Sequence, residues 1–244
     1  MGTVFTIAIS DEGDWTAEVS EVVDWLHRVD QVFSTYRESS DVSRLRRGEL
    51  SLHDADPLVP DVLGLCERYA TETGGWFTHQ LPGGLDPTGL VKGWAVERAS
   101  ELLRSRGSSN HAVNGGGDMQ LAGESAPGRP WRVGIADPLD RTRLVHVVTG
   151  RDLAVATSGT GERGLHITDP TTGRPAEALA SVTVVGRSLT RADVYATAAF
   201  AMGPAALRWL ESQPGHEGLV VGIDGTARRT SRLGLDRGLA AAAQ

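Results

Sequence analysis

Stretches of helical and of strand period occur in blocks along this chain, without the regular strand–helix alternation that a doubly wound parallel sheet requires. Thr3 to Ile9 alternates with period two, as a half-buried strand does, and Val19, Val22, Val23, Leu26, Val29, Val32 and Phe33 then share one helical face behind a cap at Asp14 or Thr16. Ser39 or Ser40 caps a short helix through Leu45, and a further helix is expected from Pro60 to Thr73, stopped by Gly74 and Gly75. After the stretch from Leu85 to Gly107 come the short strands HAVNG, WRVGIADP, RLVHVVT, DLAVATSG and SVTVVG. Thr190 is expected to cap a helix closed by Gly203, and Pro204 to start another reaching Ser212. VVGIDGTARR reads as a hairpin with a type I′ turn at Asp224-Gly225. This order predicts an α+β fold of mixed or antiparallel sheets flanked by helices, in a single domain over 1–244.

Leu85 to Gly107, LDPTGLVKGWAVERASELLRSRG, places a turn, a helix start and a lysine within a few residues. Asp86, Pro87, Thr88 and Gly89 are turn and cap residues, and Val91, Ala95, Val96, Ala99, Leu102 and Leu103 recur near helical spacing. Lys92 lies close to the positive end of that helix dipole. It fits either a solvated lysine on an ordinary amphipathic helix or a site where lysine and helix together bind a phosphate.

The 30 glycines among 244 residues are more than average and point to tight turns or close backbone approaches. In HAVNGGGDMQLAG, Gly115, Gly116 and Gly117 follow one another in a strand context, which suits a close approach to a ligand or a bulge against another strand equally. The run lacks GxGxxG spacing, which disfavours a dinucleotide-binding Rossmann unit. Asp193 and Thr197 are four apart on one helix and offer hard oxygen ligands that suit Mg²⁺. An aspartate near a helix start also simply complements the dipole. His166, between Leu165 and Ile167, fits a proton acceptor or a hydrogen-bonded structural ring.

A net charge of −7 argues against nucleic acid or anionic lipid as partner. Cys66, in the apolar series Val62, Leu63, Leu65, Tyr69, reads as a small buried hydrophobe. There is no HExxH, paired CxxC, Walker A or GxSxG, so zincin, P-loop and serine-hydrolase chemistry are unsupported. No run of about 18 apolar residues would span a membrane. The opening MGTVFTIAIS lacks the basic and apolar regions of a signal peptide, so a cytoplasmic protein is expected as numbered, or an exported one whose leader has been removed.

Taken in order, MGTVFTI, FSTYRESSDVSRL, DPTGLVKGWAVERA, VNGGGDM, ATSGTGERGLHITDPTTGRP and SVTVVGRSLTRADVYATAAFAMG resemble the signature segments of the ApbE family, the FAD:protein FMN transferases. The resemblance covers most of residues 1 to 203 and implies an ApbE-like, T-fold-related architecture. It also implies an enzyme that cleaves FAD with Mg²⁺, attaches FMN through a phosphoester to a Ser or Thr of a target flavoprotein, and releases AMP. Two other activities are compatible with it: a Mg²⁺-dependent FAD pyrophosphatase giving free FMN and AMP, and a protein that binds and sequesters FAD. By the same resemblance Met1, Tyr36, Asp86, Lys92 and Ile167 are expected to contact FAD, with Gly115, Gly116 and Gly117 approaching it closely. Gly89 through its carbonyl, Asp193, the Ala196 position and Thr197 are expected to hold the metal, and His166 to deprotonate the acceptor hydroxyl. Between GGWFTHQ and LDPTGLVKG typical members carry a longer segment beginning FDPTVGP, whereas here only Leu81 to Gly84 intervene. Trp76, Phe77 and Thr78 stand in the place of part of the family's flavin contacts.

Overall fold

The structure, a computed structural model, describes residues 2–81, 83–160 and 167–234. Its frame is a seven-stranded antiparallel sheet of β1 (Phe5–Ile9), β4 (His111–Gly115), β5 (Asp118–Ala122), β8 (Ala154–Gly159), β11 (Leu179–Gly186), β12 (Glu217–Gly222) and β13 (Ala227–Arg229), in that order across the sheet. Two-residue strands form two small ladders, β2 (Gln80–Leu81) with β3 (Gly84–Leu85) and β9 (Thr168–Asp169) with β10 (Arg174–Pro175). The hairpin of β6 (Trp131–Ala136) and β7 (Leu144–Gly150) stands apart. Among the described residues the α-helices are α1 (Thr16–Phe33), α2 (Asp41–Arg46), α3 (Leu58–Glu72), α4 (Thr88–Ser105), α5 (Leu189–Met202) and α6 (Ala206–Glu211).

Period-two alternation divides the interior in two. Val113, Ala154, Ala156, Val182, Val184 and Val220 face the helices and share a core with Leu90, Val96, Val194 and Phe200. The alternate residues Leu121, Val155, Val185 and Leu219 pack instead on Val133, Ile135 and Val148 of the β6–β7 hairpin. β11 lies between the two layers, and all eight of its residues are buried, which explains its β-branched run.

Several local expectations are corrected. No side chain caps α1 at Trp15; Asp14 accepts instead from the Thr16 amide at 3.0 Å in a turn just before the helix. α3 begins two residues early, at Leu58. Ser188 rather than Thr190 caps α5, accepting from the Arg191 amide. Pro204 sits in a 3₁₀ turn, Gly203–Ala205, that precedes α6. Asp224-Gly225 does not form a type I′ hairpin. The turn runs from Gly222 to Gly225, and of its residues Gly225 alone, at φ 79°, is left-handed beside the extended ends.

The glycine run resolves the same way. Gly116 and Gly117, at φ 60° and 95°, form the two-residue turn between β4 and β5. Gly115 ends β4, where an added Cβ would stand 2.8 Å from both Phe5 Cε1 and Val96 Cγ2. The short segment after Gln80 closes as the β2–β3 ladder, and Arg46 Nη2 donates to the Gly83 carbonyl at 2.7 Å.

Candidate functional site

α4 and α5 pack antiparallel and meet at every fourth residue of α4. A Cβ at Gly89 would lie 3.8 Å from Thr197 Cγ2, and one at Gly93 would lie 2.7 Å from Asp193 Cβ and 2.8 Å from the Leu189 carbonyl. Glu97, one turn further, accepts from the Thr190 amide at 2.7 Å and from the Ser188 hydroxyl at 2.9 Å. Residues four apart share a helix face, so one stripe of α4 (Gly89, Gly93, Glu97) fixes the height and rotation of α5. Two bare glycines let the backbones approach, and a carboxylate satisfies α5's first-turn donors. Gln120 of β5 completes the clamp: its amide oxygen accepts from the Leu189 amide at 3.0 Å and its Nε2 donates to the Arg187 carbonyl at 3.1 Å.

The consequence is local chemistry. The Gly93 amide donates to Asp193 Oδ2 at 2.9 Å. Helical spacing pairs that amide with the Gly89 carbonyl, so Asp193 competes for it and leaves the carbonyl acceptor capacity. A carboxylate, a hydroxyl and a main-chain carbonyl thereby come together from two helices a hundred residues apart. Ser158 adds a hydroxyl 3.3 Å from Thr197 Oγ1. Among the described residues no three of His, Cys, Asp and Glu cluster as a metal site. The donor set is hard oxygen with a single carboxylate, which fits Mg²⁺, an ion that keeps waters and draws further ligands from a substrate's phosphates.

Lys92 lies between two buried carboxylates. Its Nζ is in contact with Asp118 Oδ2 and 4.0 Å from Asp193 Oδ1. Asp118, 1% exposed, is held through its other oxygen by the Thr157 amide at 2.9 Å. Asp86 Oδ1 accepts from the Thr88 amide at 3.0 Å and hydroxyl at 2.6 Å, forming the turn that launches α4.

Asp86, Gly89, Lys92, Ser158, Asp193 and Thr197 line a cavity of about 430 Å³, within the ~300–1,000 Å³ of ordinary ligand pockets. The same lining carries apolar and aromatic residues: Tyr36 from the α1–α2 connection, Trp76 and Phe77 after α3, Met119, Ile135, Val155 and Ile167. Tyr36 is 82% exposed at the mouth, whereas Phe77 is 2% exposed beneath Gly89.

Of the residues singled out from sequence, Tyr36, Trp76, Phe77, Thr78, Asp86, Gly89, Lys92, Gly116, Gly117, Ile167, Asp193 and Thr197 line this single cavity. Gly115 does not; it serves the packing of β4 on Phe5 and Val96. Ala196 does not either, being fully buried in the middle of the unbroken α5, where its carbonyl belongs to the helix ladder. Met1 and His166 lie outside the described residues. Gly93, Glu97 and Asp118 escaped the sequence reading. A glycine at a helix interior, unfavourable by about 1 kcal/mol against alanine, was the signal for Gly93. An aspartate closing a glycine turn was the signal for Asp118.

The sequence profile of the ApbE family matches residues 1–82 and 78–220. An FAD:protein FMN transferase of Vibrio cholerae is 38% identical over 129 residues, which are 49% of this chain and 39% of that protein. One from Rhodobacter capsulatus is 35% identical over 122 residues, 47% of this chain and 23% of that protein. The matched sequence thus spans well under half the length of these curated relatives. Among solved structures, the flavin transferase ApbE from Vibrio cholerae superposes with a TM-score of 0.80 at 25% identity, covering 95% of this chain and 94% of that one. The apo flavinyl transferase ApbE of Pseudomonas stutzeri gives 0.82 at 26% identity, covering 95% and 92%.

Proposed function

The chain belongs to the ApbE family, and on that premise we propose that it is a Mg²⁺-dependent transferase, cleaving FAD and attaching FMN to a Ser or Thr hydroxyl of an acceptor flavoprotein. The observation that carries the reading is the helix pairing that puts Gly89, Lys92, Asp193 and Thr197 in one cavity with Tyr36, Trp76 and Phe77. An anionic diphosphate and a flat apolar ring system need those two kinds of surface.

In the proposed reaction the acceptor oxygen bonds to the FMN phosphorus while the bond from that phosphorus to the AMP oxygen breaks, and AMP departs. A divalent cation on Asp193, Thr197 and the Gly89 carbonyl would supply charge neutralisation at the diphosphate. Lys92 adds a second positive charge and orients the phosphates, which in phosphoryl transfer counts for more than covalent help from the enzyme. Tyr36 and Trp76 stack on the rings and hold the diphosphate in reach. By family resemblance His166 takes the hydroxyl proton.

The test is incubation with FAD, Mg²⁺ and an acceptor bearing a Ser/Thr flavinylation site, followed by mass spectrometry of the acceptor and assay of AMP. An FMN adduct with equimolar AMP is expected, both abolished in Asp193→Ala. AMP with free FMN and no adduct would make the protein a pyrophosphatase, and neither product would make it a binder of FAD.

A further inference from the structure

We propose that Asp118 is a positioning residue that holds the Lys92 ammonium closer to itself than to the Asp193 carboxylate, so that a divalent cation meets less competition at Asp193. The inference rests on the cation reading above and assigns a role to a residue outside the ligand set. Lys92 Nζ contacts Asp118 Oδ2 and stands 4.0 Å from Asp193 Oδ1, at the outer limit of an ion pair. Asp118 is able to hold it there because it cannot turn away: it is 1% exposed, and its Oδ1 is pinned by the Thr157 amide of β8 at 2.9 Å.

Asp193 is held in the same way but stands farther from the ammonium. Its Oδ2 is fixed by the Gly93 amide and its Oδ1 is the oxygen nearer the ammonium. An ammonium–carboxylate pair closes to about 2.7–2.9 Å, so a shift of about 1 Å, small for a lysine stem with four rotatable bonds, would seat Lys92 on Asp193. The two buried carboxylates therefore divide the work. Asp118 holds the resident cation close, and Asp193 serves the exchangeable one. With the charge of Asp118 removed, Asp193 becomes the nearest buried anion, and Lys92 competes with the metal for the only carboxylate in the donor set.

A double-mutant cycle on Mn²⁺ binding tests this without FAD and without turnover, following free Mn²⁺ by electron paramagnetic resonance. Asp118→Asn preserves volume and can still accept from Thr157. It is expected to weaken Mn²⁺ by about tenfold or more with Lys92 present, yet by less than about twofold in the Lys92→Met background. Equal loss in both backgrounds would mean an ordinary charge effect with the lysine unmoved and would overturn the proposal, as would no loss in either. If Asp118→Asn does not fold, Asp118→Glu against Asp118→Gln carries the same comparison, Glu retaining affinity and Gln losing it only while Lys92 is present. Wild-type protein that binds no Mn²⁺ would overturn the cation reading itself and this inference with it, an outcome distinct from wild-type binding that Asp118→Asn leaves unchanged.

Discussion

Two parts of the cavity lining are built by different means. The α4–α5 part is set by main chain and short side chains: glycines at 89 and 93, an amide on a carboxylate, a glutamate on a helix start. The aromatic part is set by large side chains carried on connections, with Tyr36 82% exposed and Trp76 to Thr78 on the short passage between α3 and β2. Groups that must neutralise charge need placement to a fraction of an ångström, and packed helices provide it. Groups that recognise a ring system tolerate adjustment, and connections allow it.

If that contrast is right, the largest effect should come from a single methyl group. Gly93→Ala places a Cβ 2.7 Å from that of Asp193 and 2.8 Å from a main-chain oxygen, so the helices must separate. AMP release is expected to fall by about a hundredfold or more, with stability lower by about 1–3 kcal/mol. Near-normal turnover would show that the helix pairing does not set the chemistry.

A smaller effect is expected from acid, again in the helix part. His111 on β4 is fully enclosed, bonded to Ser100 of α4 at 2.7 Å and to Ser108 at 2.9 Å. Burial above all, and then the nearby Arg104 charge, push its imidazole down to about 4. The unfolded chain takes up a proton below about pH 6.5 that the folded chain refuses, so this contribution is complete above that pH and is lost progressively toward pH 4. A fall of about 2–3 kcal/mol is expected over that window by denaturant titration. His111→Gln should flatten it, and an unchanged profile would relocate the acid sensitivity.

The smallest effect belongs to the aromatic part. Tyr36→Ala should weaken FAD by about 1–3 kcal/mol if the ring stacks, leaving turnover at saturating FAD within a fewfold of normal. Titration by flavin fluorescence reads the first quantity, and a large fall in saturated turnover would erase the distinction between the two parts.

The same contrast governs what could be read in advance. Elements with strong periodicity, such as α1, α4 and the β-branched β11, are visible in the residues themselves, and so is the α+β class. Lys92, Gly89, Asp193 and Thr197 stand out because each has a local context: a helix start, a turn, a four-residue spacing. The contacts that join them are not local. Gly93 to Asp193 spans a hundred residues, Glu97 to Thr190 ninety-three, and Lys92 of α4 pairs with Asp118 at the start of β5. Nothing in the spacing of either partner announces the other. The glycine run shows the reverse limit, since three glycines mark an exceptional backbone without saying whether it serves a ligand or a tight turn; here two make the turn and border the cavity while the third makes room for Phe5 and Val96.

The four-residue spacing shared by positions 89, 93 and 97 also limits how a chain of this kind can change length. One residue gained or lost between Thr88 and Glu97, or between Leu189 and Thr197, would swing everything beyond it by about 100° and uncouple the contacts downstream of it. Insertions and deletions must therefore collect where no helix depends on them, and the connection between β2 and β3 is such a place: the cavity lining near Leu81 can be recut while the pairing of the two helices keeps its count.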